Sequence, residues 1–235
     1  KHIILTNYFT GKKDPQRGGN DQFEPNQFEN MKGWYDSILA NQLHGLIFHD
    51  QLSEDFISKY TNDNISFEKY ELKKRYSLND DRFFCWYEWL LQHEEVESLF
   101  CTDLFDVDFF GNPFHLMDPL RYDLYCGDAD GAKMDEWVNN RMEWAYGKIF
   151  HAGKIKFISG IMGGTRENIL RLFQAMTHDF EKAKRGTRKG KNMNMGVFNK
   201  CVYDLFGQDR ILFGSPLNSR FKKFEGQGNF CIRHK

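Results

Sequence analysis

The sequence predicts an α/β fold: a mostly parallel central sheet flanked by helices on both faces. Three observations lead there. Short apolar runs of strand length alternate with runs of helical period almost from end to end. That rhythm builds βαβ units. No internal repeat, low-complexity tract or Pro/Gly/Ser linker divides the 235 residues, so a single domain spanning 1–235 is expected.

The elements follow in order. His2-Ile3-Ile4-Leu5-Thr6 is a first apolar strand, followed by a polar, Gly-rich stretch from Thr10 to Asn20. Phe28, Met31, Tyr35 and Leu39 recur at helical spacing within Phe28 to Ala40. Leu46-Ile47-Phe48 is the next strand and ends at His49-Asp50. Arg82 to His93 repeats the helical pattern and Ser98 to Thr102 the strand pattern. Lys156-Phe157-Ile158 reads as a strand, Thr165 to Lys182 as a long helix opened by Thr-Arg-Glu, and Asn192 to Leu205 as a further helix. Phe230-Cys231-Ile232 is apolar enough for a short buried strand near the end of the chain. Ligands of such sheets sit beyond the carboxyl ends of the strands, so the residues that follow each strand carry the most information.

Composition removes several function classes. A formal net charge of −1 does not suit a general nucleic-acid binder, which needs a basic surface to neutralise phosphates. The one dense basic run, Lys182 to Lys191, reads as a solvated loop. Twenty-three phenylalanines predict an aromatic core. Cys85, Cys101, Cys126, Cys201 and Cys231 are odd in number, lack CxxC spacing and mostly lie in apolar runs. They read as buried free thiols, which favours a reducing, cytoplasmic compartment over a disulfide framework. No apolar stretch approaches the ~18 residues of a membrane span. The chain starts at Lys1 rather than Met, as a domain excised from a longer protein would, so the lack of a leader is uninformative about compartment.

The sharpest local signal follows the strand at Ser98 to Thr102. Asp103, Asp106 and Asp108 fall within six residues, separated by Leu104, Phe105 and Val107 and followed by Phe109-Phe110-Gly111-Asn112-Pro113-Phe114. Carboxylates in an apolar setting at a strand end repel one another unless a proton or a cation intervenes. A hard divalent cation suits these oxygens and commonly keeps positions open for phosphate. Two neighbouring patterns do not hold. Cys126-Gly127-Asp128-Ala129-Asp130-Gly131 would place Cys126 and Trp137 at the first and twelfth positions of a calcium loop, which needs oxygen ligands there. Asp106-Val107-Asp108 lacks the Thr or Val expected two places on in a phosphatase, where Phe110 stands.

A strand, then D-x-x-D or D-x-D, then an apolar stretch and Asn-Pro-Phe resembles the metal-binding segment of GT-A glycosyltransferases. Thr102-Asp103-x-x-Asp106-Val107 is similar to the form found in collagen-modifying members. The register Asp103 with Asp106 is preferred because it leaves the strand directly, and Asp106 with Asp108 is the alternative. The resemblance implies a GT-A (Rossmann-like) domain with a nucleotide-binding half at about 1–115 and an acceptor-side half at about 116–235. It places Thr102, Leu104 and the residues after the first strand, Thr6-Asn7-Tyr8, against the nucleotide sugar, with Tyr8 stacked on the base. Asp50 corresponds to a base-holding position, and Arg82 is placed to reach phosphate or base.

Ile158 to Gly164 is similar to the family segment Asn-x-Gly-x-x-Gly-Gly, which brings Gly163 and Gly164 near the donor sugar; Ile158 stands where the family has Asn. Asn194-Met195-Gly196-Val197-Phe198-Asn199 is similar to a second segment, with Asn194 where Asp is usual. A late His supplies a third metal ligand in many members, and a nearby Lys meets the diphosphate, which here implies His234 and Lys235. An inverting enzyme needs a carboxylate near the acceptor hydroxyl, for which Asp128 and Asp130 are the candidates.

The expected activity is therefore Mn²⁺- or Mg²⁺-dependent transfer of a hexosyl or pentosyl group. The donor is a nucleotide diphosphate sugar, with UDP favoured, and the acceptor a glycan or protein hydroxyl. A metal-dependent phosphohydrolase and a non-catalytic nucleotide-sugar-binding domain are the alternatives.

Overall fold

A computed structural model describes residues 1–14, 23–183, 191–226 and 228–235. Most of the basic run 182–191 and much of the polar stretch 10–20 lie outside these residues.

The first half builds β1 (His2–Tyr8), α1 (Lys32–Ala40), β2 (Gly45–His49), α2 (Glu54–Tyr60), β3 (Ile65–Lys69), α3 (Leu78–Gln92) and β4 (Ser98–Thr102). After a short β5 (Val107–Phe109) come β6 (Leu124–Lys133), α4 (Glu136–Tyr146), β7 (Ile155–Thr165), α5 (Arg166–Lys182), α6 (Asn194–Leu205), β8 (Ile211–Phe213) and β9 (Ile232–His234). Helix starts follow local chemistry. Ser53, Ser77, Asp135 and Thr165 each accept a backbone N–H from the first turn of α2, α3, α4 and α5.

Seven strands form one sheet in the order β3-β2-β1-β4-β7-β6-β8. The β1–β2, β2–β3, β1–β4 and β6–β8 pairs are parallel, whereas β7 runs antiparallel to both β4 and β6. The sheet is thus mixed, with its parallel part as expected and one reversed strand. β7 also places Gly163 and Gly164 within a strand ladder rather than in a ligand loop. Gly163 pairs with Phe100, and a Cβ there would come within 2.3 Å of the Phe100 ring. The glycine lets a large aromatic residue lie across the strand. Gly164 lies in the same ladder, opposite Leu99.

Strand alternation divides the core. Ile3 and Leu5 of β1 pack on one side with residues of α3, α5 and α6, such as Phe83, Phe173 and Phe198. Ile4 and Tyr8 pack on the other side with Trp34 and Ile38 of α1, Phe56 of α2, and Val107 and Ile232 of the small β5–β9 sheet. Chain order reverses between β1 and β4, a topological switch point, and crevices for ligands open there at the carboxyl ends. Among the described residues no helix is long and apolar enough to cross a membrane.

Candidate metal centre

At the switch point Thr6 and Thr102 hold the strand ends together. Thr6 Oγ1 donates to the Thr102 carbonyl (2.8 Å), and the Trp34 indole N–H donates to Thr102 Oγ1 (3.0 Å). Both threonines are buried; Thr102 borders one of the two cavities that flank the site, and Thr6 borders neither. Asp103 extends the β4–β7 ladder by one bond, its N–H donating to the Gly160 carbonyl (2.9 Å). The chain turns through Leu104 and Phe105 to Asp106, then enters β5. Val107 of β5 pairs with His234 of β9, and the Lys235 N–H donates to the Asp106 carbonyl (2.9 Å). The two-stranded sheet therefore carries a residue from the end of the chain to the carboxylates that follow β4.

Asp103, Asp106 and His234 offer three ligand atoms within 4.8 Å of one another. His234 Nε2 lies 3.7 Å from Asp103 Oδ2 and 3.7 Å from Asp106 Oδ1, too far for hydrogen bonds. The imidazole is 2% exposed, is covered by the Phe221 ring at 4.3 Å, and neither nitrogen finds a hydrogen-bond partner among the described residues. Leaving a buried polar atom unmet costs about 1–3 kcal/mol. The spacing suits one divalent cation with bonds of roughly 2.0–2.6 Å, and two carboxylates with one imidazole are a mixed oxygen and nitrogen donor set. Gly160 keeps the space open: a Cβ there would lie 2.5 Å from Asp103 Oδ2 and 2.4 Å from His234 Cε1.

Arg82, from α3, orients this group. Its guanidinium pairs with Asp103 Oδ1, reaches Ser159 Oγ (3.3 Å) and lies over the Phe83 and Trp86 rings. That leaves Oδ2 of Asp103 toward His234. Asp108 is not part of the cluster. β alternation turns it to the opposite side from Val107, where Arg233 and Lys235 hold its carboxylate; Lys235 Nζ is 2.8 Å from Oδ2. Lys235, expected on a diphosphate, has its ammonium on Asp108, and it borders a further cavity with Phe105, Asp106 and Lys222.

Two cavities flank the cluster and share Arg82, Asp103 and Lys222. The first, about 290 Å³, is bordered by Asn7, Phe105 and Asp106, and the Asn7 Oδ1 atom is buried without a hydrogen-bond partner among the described residues. The second, about 390 Å³, is bordered by Ser159, Asn194 and His234. Asn194 donates to Ser159 Oγ (3.3 Å) while its Oδ1 is buried and finds no partner among the described residues. It opens α6, whose first N–H groups, of Met193 and Asn194, donate to Asp80 Oδ1 at 3.0 and 2.8 Å. Burial pushes Asp80 up to about 7, against the lowering effect of those N–H groups.

Other expected site residues lie elsewhere. Tyr8 is in the core, its hydroxyl donating to the Glu24 and Gln27 carbonyls (3.0 and 2.9 Å); in a strand it shares a face with Thr6, opposite to Asn7. Asp50 accepts the N–H groups of Thr10 and Gly11 (2.9 and 2.6 Å), tying down the chain after β1. Asp128 accepts the Gly131 N–H (3.1 Å) and closes a turn, while Asp130 pairs with Arg220 and Lys223. Neither borders either cavity. Leu104 is buried at the wall of the first. Gly160, Ser159, Phe105, Asp80 and Lys222 were not singled out from the sequence. For Gly160 the signal was present, as the first glycine of the segment at 158–164; for Lys222 there was none.

No protein-family model matches the chain, and no curated protein matches it.

Proposed function

We propose that the chain is a metal-dependent GT-A glycosyltransferase that moves a sugar from a nucleotide diphosphate sugar, with UDP as the favoured nucleotide, to an acceptor hydroxyl. The observation that carries this reading is the convergence of Asp103, Asp106 and a buried, unmet His234 at the switch point, between two adjoining cavities. Two compartments sharing one cation-type cluster suit a two-substrate reaction better than hydrolysis of a single phosphate ester.

In this reading Asp103, Asp106 and His234 hold Mn²⁺ or Mg²⁺, which when bound offsets charge on a departing diphosphate. Arg82 keeps Asp103 in its orientation. Lys222, which borders both cavities, takes the phosphate-facing role in place of Lys235, and an ammonium suits that role as a point charge. The unmet oxygen of Asn7 accepts an N–H of the base or a ribose hydroxyl, and that of Asn194 a sugar hydroxyl. The acceptor oxygen bonds to the anomeric carbon as the bond from that carbon to the diphosphate oxygen breaks. The electron pair leaves with the nucleoside diphosphate, and the hydroxyl proton passes to it or to water.

Isothermal titration with UDP tests the reading. Binding is expected with Mn²⁺, to be lost with chelator, and to be lost in Asp106→Ala. Metal-independent UDP binding, or a product analysis showing only inorganic phosphate, would overturn it.

A further inference from the structure

The second cavity has a wall that donor binding does not use. Trp137, at the start of α4, borders it and is 41% exposed. It is the one exposed large apolar side chain among the described residues bordering this cavity, and an aromatic ring with a few polar groups beside it at a cavity mouth suits a ligand. The ring is held in place: the Arg141 guanidinium, one helical turn on, lies 3.3 Å from its centroid and also donates to the Trp137 carbonyl (2.8 Å). Beside it Asp135 and Lys156 form a pair at 2.5 Å. Asp135 is fixed in turn, because its Oδ1 caps α4 by accepting the Val138 N–H (3.1 Å).

This wall discriminates between acceptor classes. An extended peptide is gripped through backbone hydrogen bonds to an open strand edge. Here the strand backbone bordering the cavity is already used: the Gly160 carbonyl accepts from Asp103 and the Ser159 carbonyl from Arg82. A sugar ring needs different partners, an apolar platform for its C–H face and adjacent donor and acceptor groups for its hydroxyls. Trp137 offers the platform. Lys156 offers N–H groups and Asp135 carboxylate lone pairs side by side, and Asn194 borders the same cavity.

We infer that the second cavity binds a sugar residue of a glycan acceptor, stacked on Trp137 and held through its hydroxyls by the Asp135–Lys156 pair. As an assignment of the acceptor, this rests on the transferase reading; as a binding site it is testable without donor.

The experiment is saturation-transfer NMR on the full chain with methyl glycosides of glucose, galactose, mannose, xylose and N-acetylglucosamine. Trp137→Ala, Trp137→Phe and Lys156→Ala are compared, and UDP with Mn²⁺ is titrated into each in parallel. At least one glycoside is expected to bind, with strongest saturation on the protons of one ring face. Trp137→Ala and Lys156→Ala are each expected to weaken it at least tenfold, Trp137→Phe to retain most of it, and UDP·Mn²⁺ affinity to stay within about twofold in all three. No binding by any glycoside, or binding undiminished in Trp137→Ala, overturns the inference while leaving the donor site standing. Glycoside binding of the expected pattern with no UDP·Mn²⁺ binding in the unaltered chain would instead remove the transferase reading and keep the sugar site.

Discussion

Val107 and His234 face each other across the β5–β9 ladder, and that single pairing sets the His234 imidazole 3.7 Å from the Asp106 carboxylate. The residue joining the two carboxylates after β4 is thus delivered by backbone register. Substitutions that disturb the ladder and those that remove a ligand are expected to separate in experiment.

Removing the imidazole should act on metal before it acts on fold. His234→Ala is expected to weaken Mn²⁺ binding about 10–100-fold, a loss of roughly 1.4–2.8 kcal/mol. It should change thermal stability less, because neither ring nitrogen makes a hydrogen bond among the described residues. Mn²⁺ titration followed by electron paramagnetic resonance measures the first effect and a melting curve the second. Unchanged Mn²⁺ affinity would remove His234 from the site.

Asp108→Ala should show the opposite pattern. Its carboxylate joins Arg233 and Lys235 and is nearly buried, so its loss is expected to cost about 1.5–3 kcal/mol of stability, as for hydrogen bonds to charged groups. Mn²⁺-dependent UDP binding is expected to persist in the folded fraction. Lys235→Ala, which keeps the backbone N–H that donates to the Asp106 carbonyl, should likewise leave UDP affinity intact. A tenfold loss of affinity in either variant would restore these residues to the ligand-binding set.

Gly160→Ala tests the open space. A methyl group would enter within 2.5 Å of Asp103 Oδ2, so one or more ligands must shift. At least a tenfold loss of Mn²⁺ affinity is expected, with secondary structure by circular dichroism unchanged. Wild-type affinity would show that the cluster is not held in this geometry.

Asp80 predicts a pH dependence. Its carboxyl is raised from 3.8 to about 7 by burial, so between those values the native state holds a proton that the unfolded chain has released. The stabilising contribution is full below about pH 4 and is lost as pH rises through about 7. Asp80→Asn should flatten that part of the stability–pH profile, as read from urea midpoints at pH 5 and pH 8. An identical drop between the two pH values in wild type and variant would show that other groups cause it.

The sequence by itself determined what is local. Continuous apolar runs of strand length marked β1, β2 and β4, because these strands are buried on both faces. A period of 3.6 marked α3, α5 and α6, because burial of one helix face imposes it and Ser or Thr starts a helix by capping its first N–H groups. Asp103 and Asp106 were legible for the same reason: they follow directly on an apolar strand, where a switch point leaves room for a ligand. Tyr8 was misplaced although alternation alone puts it on the face of Thr6 and into the core. What only the tertiary structure decided is non-local. Gly163 and Gly164 read as ligand-facing until β4 lies beside them and Phe100 covers Gly163, whereas Ser159 and Gly160 of the same segment do border the second cavity. Asp108 reads as a metal ligand until Arg233 and Lys235 arrive on the neighbouring strand. Lys222, Asp135 and Trp137 carry no pattern along the chain, because what gathers them is the meeting of α4, β7 and the 220–225 segment around one cavity. Strand register is set by burial summed over a whole face, so no short stretch of chain records which distant residues it will bring together.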